Sequence, residues 1–187
     1  MMNSIERAYQ FYSRHIYDQE KIELLKQYNL KIAGSVPSVL WELFGALLTN
    51  RSAQGNTGAD LVGWEIKSAK NKGSYEYQYH LNTGEEKLKE DCLVNHLFFM
   101  YSATYHDVAV RAMQGKDLAK PYFKKWMPLY RKNYDPTVPA SQRRQRFRKS
   151  ISAGHIIDNG ELILEIKNGT LVYEKENVIT QFNNGTK

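Results

Sequence analysis

Asp60, Glu65 and Lys67 carry the chemistry most worth testing in this sequence, within the run Gly58-Ala-Asp60-Leu-Val-Gly63-Trp-Glu65-Ile-Lys67-Ser-Ala-Lys70. Glu65 and Lys67 are two apart, so on a strand they share one face while Trp64 and Ile66 take the other. A two-residue hairpin turn at Val62-Gly63 sets Asp60 directly across from Glu65, with Cβ atoms roughly 4.5–5.5 Å apart. Carboxylates that close repel, and one takes up a proton unless a cation sits between them. Magnesium suits such a pair, because it prefers oxygen ligands and commonly uses one or two carboxylates plus phosphate oxygens. The ion polarises a phosphate and acidifies a bound water, and Lys67 orients that water or offsets developing negative charge. The competing reading is a solvent-facing ion pair on a hairpin.

The tripeptide recurs as Glu165-Ile-Lys167, with Asp158 upstream. There Leu162, Leu164 and Ile166 make a buried face, which leaves Glu161, Glu165 and Lys167 on the solvated side of a terminal hairpin. Lys167 also abuts the Asn168-Gly169 turn, at a tip rather than in the body of a sheet. That copy reads as structural.

The elements that must hold the first copy are legible in outline. Asn3 and Glu6 resemble a capping box before one or two helices with apolar positions from Ile5 to Leu25. A helix is expected from Pro37 to Asn50, with Val39, Leu40, Leu43, Phe44, Leu47 and Leu48 as its apolar face. Glu42 lies on the other side, among Ser38, Gly45, Ala46 and Thr49, whose small size lets another backbone approach. Strands are expected at Ala59–Val62, Trp64–Ala69, Tyr75–Leu81 and His96–Ser102, with a helix over Thr83–Asn95. His106–Tyr134 reads as helical, broken by Pro121 and Pro128, and Ser141–Ser152 as a basic helix. Asn168-Gly169 should turn a closing hairpin, Glu161–Lys167 with Thr170–Glu174. Helices around a run of strands imply an α/β domain with a central mixed β-sheet flanked by helices.

The 187 residues fit a single domain, with a basic, helical C-terminal half at about 106–152. No apolar run reaches membrane-spanning length, and the first residues lack a secretion-signal pattern. Cys92 is the one cysteine, which excludes an internal disulfide and fits a reducing, cytoplasmic setting. No phosphate-cradling glycine loop appears, so no nucleotide cofactor is expected. The net charge of +6 is uneven: eleven Lys/Arg face two acids between Gly115 and Ser150. Such a basic block points to a polyanionic partner. Its densest part, Gln142 to Lys149, offers Arg143, Arg144, Arg146, Arg148 and Lys149 as DNA-phosphate contacts. The tyrosines at 75, 77 and 79 alternate as sheet-packing residues.

The Asp60–Lys67 pattern resembles the PD-(D/E)xK nucleases, among them many restriction endonucleases and mismatch-repair nicking enzymes. Asp60 matches that family's first acid, Glu65 the second and Lys67 the lysine. Ala59 replaces the usual proline, and four residues between the acids is a short spacing that a hairpin at Gly63 permits. Glu42 is the candidate for the metal-binding acid that many of these enzymes take from the preceding helix; its competing reading is an exposed glutamate. The resemblance implies a restriction-endonuclease-like core, a Mg2+ cofactor and double-stranded DNA as substrate. In size and layout the chain is similar to the small, strand-cleaving subunit of heterodimeric type IIS restriction enzymes. That likeness implies a larger recognition and nicking subunit as partner. The alternatives are a self-sufficient homodimeric restriction or repair nuclease and a DNA-binding module without catalysis.

Overall fold

A computed structural model describes residues 3–53, 55, 58–143 and 146–185. The chain opens on α1 (Ser4–Phe11), where Asn3 and Glu6 form the expected reciprocal cap: each backbone N–H donates to the other side chain. A π-helical turn (Tyr12–Ile16) leads into α2 (Gln19–Gln27), and α3 (Ser38–Thr49) starts directly after Pro37. Asn50 ends α3 in the left-handed conformation, φ 54°. Then come β1 (Trp64–Lys70), β2 (Ser74–His80), α4 (Gly84–Asp91), β3 (Asn95–Tyr101) and β4 (Val108–Gln114). The short α5 (Gly115–Leu118) continues through a π-helical turn into α6 (Lys124–Asn133). β5 (Arg146–Ser152), α7 (Ala153–Asn159), the hairpin β6 (Glu161–Lys167) and β7 (Thr170–Glu174), and α8 (Glu176–Gly185) complete the order.

Five strands form one sheet in the order β1-β3-β4-β6-β7, with β1 parallel to β3 and the other pairs antiparallel. The fold is therefore α/β, a mixed sheet flanked by helices. Because side chains alternate along a strand, β1 sends Trp64 and Ile66 into one core and Ala69 into another. The first core joins the sheet to α1, α3 and α8 through Ile5, Trp41, Phe44, Leu48 and Ile179. The second lies beneath α4, α6 and a separate two-stranded ribbon of β2 and β5, and contains Tyr75, Tyr77, Tyr79, Leu88, Phe123 and Phe147. β1 is thus an edge strand held between two cores, and Glu65 and Lys67 face the second.

Four expectations are corrected. Ala59–Val62 is not a strand: Leu61 makes isolated bridges to Ala53 and Trp64. The segment 106–134 is not helical throughout, because Val108, Val110 and Ala112 are buried at period two and form β4. The basic helix at 141–152 is a strand, β5, paired antiparallel with β2 in the register Tyr75↔Ile151, Tyr77↔Lys149, Tyr79↔Phe147. Phe147 and Ile151, four apart, satisfy helical and strand periods alike, and the tyrosine face of β2 selects the strand. Finally, α3 buries Trp41, Phe44, Gly45 and Leu48, whereas Val39 and Leu43 are exposed. Its apolar stripe is rotated from the expected one. The closing hairpin turns at Asn168 (φ 50°) and Gly169 (φ 77°), as the sequence implies.

Candidate active site

The Val62-Gly63 turn forms as its sequence suggests. Leu61 and Trp64 exchange two backbone hydrogen bonds of 2.9 Å, and Gly63 has φ 76°, a conformation that costs little only without a Cβ. Asp60 and Glu65 flank the Leu61–Trp64 bridge, and the Glu65 charge reaches the Asp60 carboxyl. The ladder does not continue to Ala59; instead the Ile66 N–H donates to Asp60 Oδ2 at 2.8 Å. A side chain has taken the place of the next ladder acceptor, which is why the upstream arm stops being a strand.

Lys67 Nζ lies 2.6 Å from Glu65 Oε1 and 4.8 Å from the centre of the Tyr77 ring. The Glu65 side chain is only 4% exposed and that of Lys67 18%. The second copy of the tripeptide contrasts: Glu165 and Lys167 are 32% and 60% exposed, at 3.3 Å. A surface pair of that kind contributes little. The solvent-facing reading therefore holds for Glu165–Lys167 and fails for Glu65–Lys67.

Glu65 has a second cationic partner that the sequence reading missed. Lys87 Nζ, from α4, donates to Glu65 Oε2 at 2.8 Å and also to Asp91 Oδ1. Asp91 is fully buried, and its other oxygen accepts from the Tyr79 hydroxyl at 2.8 Å. His96 bonds through Nε2 to the Asp91 carbonyl and through Nδ1 to the Tyr77 hydroxyl. A polar cluster thus runs through β1, α4, β2 and β3. Its sequence signal was slight: Leu88 is the one large apolar residue of α4, so its neighbours Lys87 and Asp91 turn inward with it.

The electrostatics are uneven. Burial, reinforced by the Glu65 carboxylate, pushes the Asp60 carboxyl up to about 6, despite Lys67 and the Ile66 N–H. Burial acts on Glu65 in the same sense, but Lys67 and Lys87 outweigh it and hold the carboxyl at about 2. Burial also pushes Asp91 up to about 6 and His96 down to about 4, which leaves the imidazole neutral at pH 7. Lys67 stays protonated, because Glu65 and Asp60 offset the cost of burying its charge.

Glu42 is half-buried on α3, and its charge reaches Asp60, adding to the upward push on that carboxyl. Gly45, one turn along, lets α3 sit against β1: a Cβ there would lie 2.7 Å from Ile66 Cδ1. The small-residue stripe therefore does bring helix and strand together. Among the described residues no three His, Cys, Asp or Glu side chains form a metal-ligating group. Asp60 and Glu65 supply the oxygen donors beside Lys67, with Glu42 further out. Asp60 fits a divalent ion, since it is a half-buried carboxylate that Lys67 offsets only in part. Each Glu65 oxygen keeps a lone pair beyond its lysine.

The basic residues are divided. Arg146 and Arg148 project from the outer, exposed face of the ribbon, where they pair in register with His80 and Gln78. Lys149 lies on the inner face, half-buried, with its ammonium 5.5 Å from the centre of the Phe147 ring. Arg143 braces a loop, donating to the carbonyls of Val138 and Pro136 at 2.5 and 3.0 Å. Arg144 lies outside the described residues.

The chain matches no family model, and no curated protein matches it. Among the described residues no helix is long and apolar enough to cross a membrane.

Proposed function

We propose that this chain is a magnesium-dependent DNA endonuclease of the PD-(D/E)xK kind, acting as the strand-cleaving small subunit of a heterodimeric type IIS restriction enzyme. One observation carries the reading: Asp60 and Glu65 flank the bridge of a two-residue turn, Lys67 is bonded to Glu65, and Lys67 only partly offsets the burial of the Asp60 carboxylate. Asp60 and Glu65 would hold the ion, with Glu42 further out. Bound there, magnesium would supply phosphate polarisation and a more acidic water. Lys67 keeps its proton, so it acts as a fixed cation that stabilises negative charge building on phosphate. Glu65 positions that cation through its 2.6 Å contact. Arg146 and Arg148 on the exposed ribbon face would bind the DNA backbone, which positions a duplex without reading its sequence.

One active site addresses one strand, so a double-strand break needs a second site from a copy or a partner. The test is supercoiled plasmid in magnesium, with the chain alone and then with a larger recognition subunit. The expected result is little cutting alone and one defined strand cut in the pair. A clean, symmetric, site-specific double-strand cut by the chain alone overturns the heterodimer reading in favour of a homodimer. A specific observation favours the non-catalytic rival: both Glu65 oxygens already have lysine partners, as a purely structural ion cluster requires. That rival gives DNA binding with no cleavage in either arm.

A further inference from the structure

The ammonium of Lys87 lies between two carboxylates, those of Glu65 and Asp91, a position that a cation can fill. It donates to Glu65 Oε2 at 2.8 Å and to Asp91 Oδ1, and Glu90 stands 3.8 Å away as an outer third acid. Both oxygens of Asp91 are committed, one to Lys87 and the other to the Tyr79 hydroxyl. Lys87 is itself largely enclosed, 18% exposed, and α4 holds it in place by packing Leu88 into the core beside it. Within the enclosed part, Lys67 and Lys87 match Glu65 and Asp91 charge for charge, and Asp60 is the carboxylate left over.

We propose that Lys87 is a built-in substitute for a second cation, so that the site takes one divalent ion, at Asp60 and Glu65, and excludes another. The inference rests on the magnesium-site reading above. One divalent ion at Asp60 leaves a single positive charge, which a phosphodiester neutralises. A second would have to displace or sit beside the ammonium of Lys87 in a low-dielectric space, where like charges repel strongly. Lys87 also ties α4 to β1, so it acts as a positioning residue for Glu65 and need not touch the substrate.

The experiment counts manganese(II), as a spectroscopic probe of the magnesium site, by calorimetry and electron paramagnetic resonance. The samples are the full chain, Lys87→Ala, and Lys87→Ala combined with Asp91→Asn. The expected counts are one ion per chain, two in Lys87→Ala, where Glu65 and Asp91 are freed to share an ion, and one in the double variant. Two interacting ions in the unaltered chain overturn this inference and leave the metal-site reading intact. No ion in the unaltered chain overturns that reading itself. One ion in a folded Lys87→Ala shows that the lysine is not what excludes the second. If Lys87→Ala does not fold, the count on the unaltered chain decides alone, and a coupled manganese pair in its spectrum is the overturning result.

Discussion

The Asp60 carboxylate accepts the backbone N–H of Ile66 at 2.8 Å, and this bond fixes the first acid to the strand that carries Glu65 and Lys67. Among the described residues β1 is an edge strand, and that N–H has no strand partner on its open side. A side chain that satisfies it both ends the short ladder and orients the acid. Asp60→Asn keeps an acceptor for Ile66 while removing the charge. It should abolish cleavage and leave DNA affinity in calcium nearly unchanged, whereas Glu165→Ala should cut normally. Plasmid nicking in the presence of the recognition subunit and filter binding check both, and loss of cleavage in Glu165→Ala with retention in Asp60→Asn would assign the chemistry to Glu165-Ile-Lys167 instead.

Glu65 is a stability residue as well as a candidate ligand. Its removal leaves the ammonium groups of Lys67 and Lys87 enclosed without their shared partner. Breaking a buried pair from one side typically costs about 3–5 kcal/mol. Glu65→Ala should therefore lower the denaturation midpoint markedly, while Glu65→Gln, which keeps two polar positions, should lose less. Urea unfolding separates the two. Cleavage assays on Glu65→Ala need that control before lost activity is attributed to the metal site.

The pH dependence of stability follows from Asp60 and Glu65 with opposite signs. A carboxyl whose pKa rises on folding binds its proton more tightly when folded, so it costs stability as the pH climbs from its unfolded value to its folded one. For Asp60, pushed up to about 6, that window runs from about 4 to 6. Glu65, held at about 2, adds stability above its ordinary range and loses it as the pH falls through about 2. In EDTA, Asp60→Asn should match the parent near pH 3.5 and exceed it at pH 8 by about 1–3 kcal/mol. Magnesium at pH 8 should narrow or reverse that gap by stabilising the parent alone. A pH-independent difference would mean that Asp60 titrates normally.

The salt dependence of DNA binding distinguishes the arginines. Arg146→Ala and Arg148→Ala should each reduce the log–log slope by roughly 0.9. Arg143→Ala should leave the slope alone and loosen the 136–143 loop that its guanidinium braces. Equal effects at all three positions would move the binding surface off the ribbon.

Local signals were enough for some parts of this protein. The Asn3–Glu6 cap, the start of α3 at Pro37, the Val62-Gly63 turn and the Asn168-Gly169 hairpin each depend on a few adjacent residues, and all four form as read. The turn fixed the register of Asp60 and Glu65, and period two fixed which face of β1 carries Glu65 and Lys67. Partners distant in sequence decided the rest. Phe147 and Ile151 fit a helix or a strand equally well, and only pairing with Tyr79 and Tyr75 chose the strand and divided the basic residues between two faces. Lys87 and Asp91 lie in a charged helix whose one large apolar residue, Leu88, is a slight local cue, and only the tertiary structure places Glu65 and Tyr79 beneath them. A buried charge is stable only when its partners converge from other elements, and that convergence is set by packing rather than by neighbours along the chain.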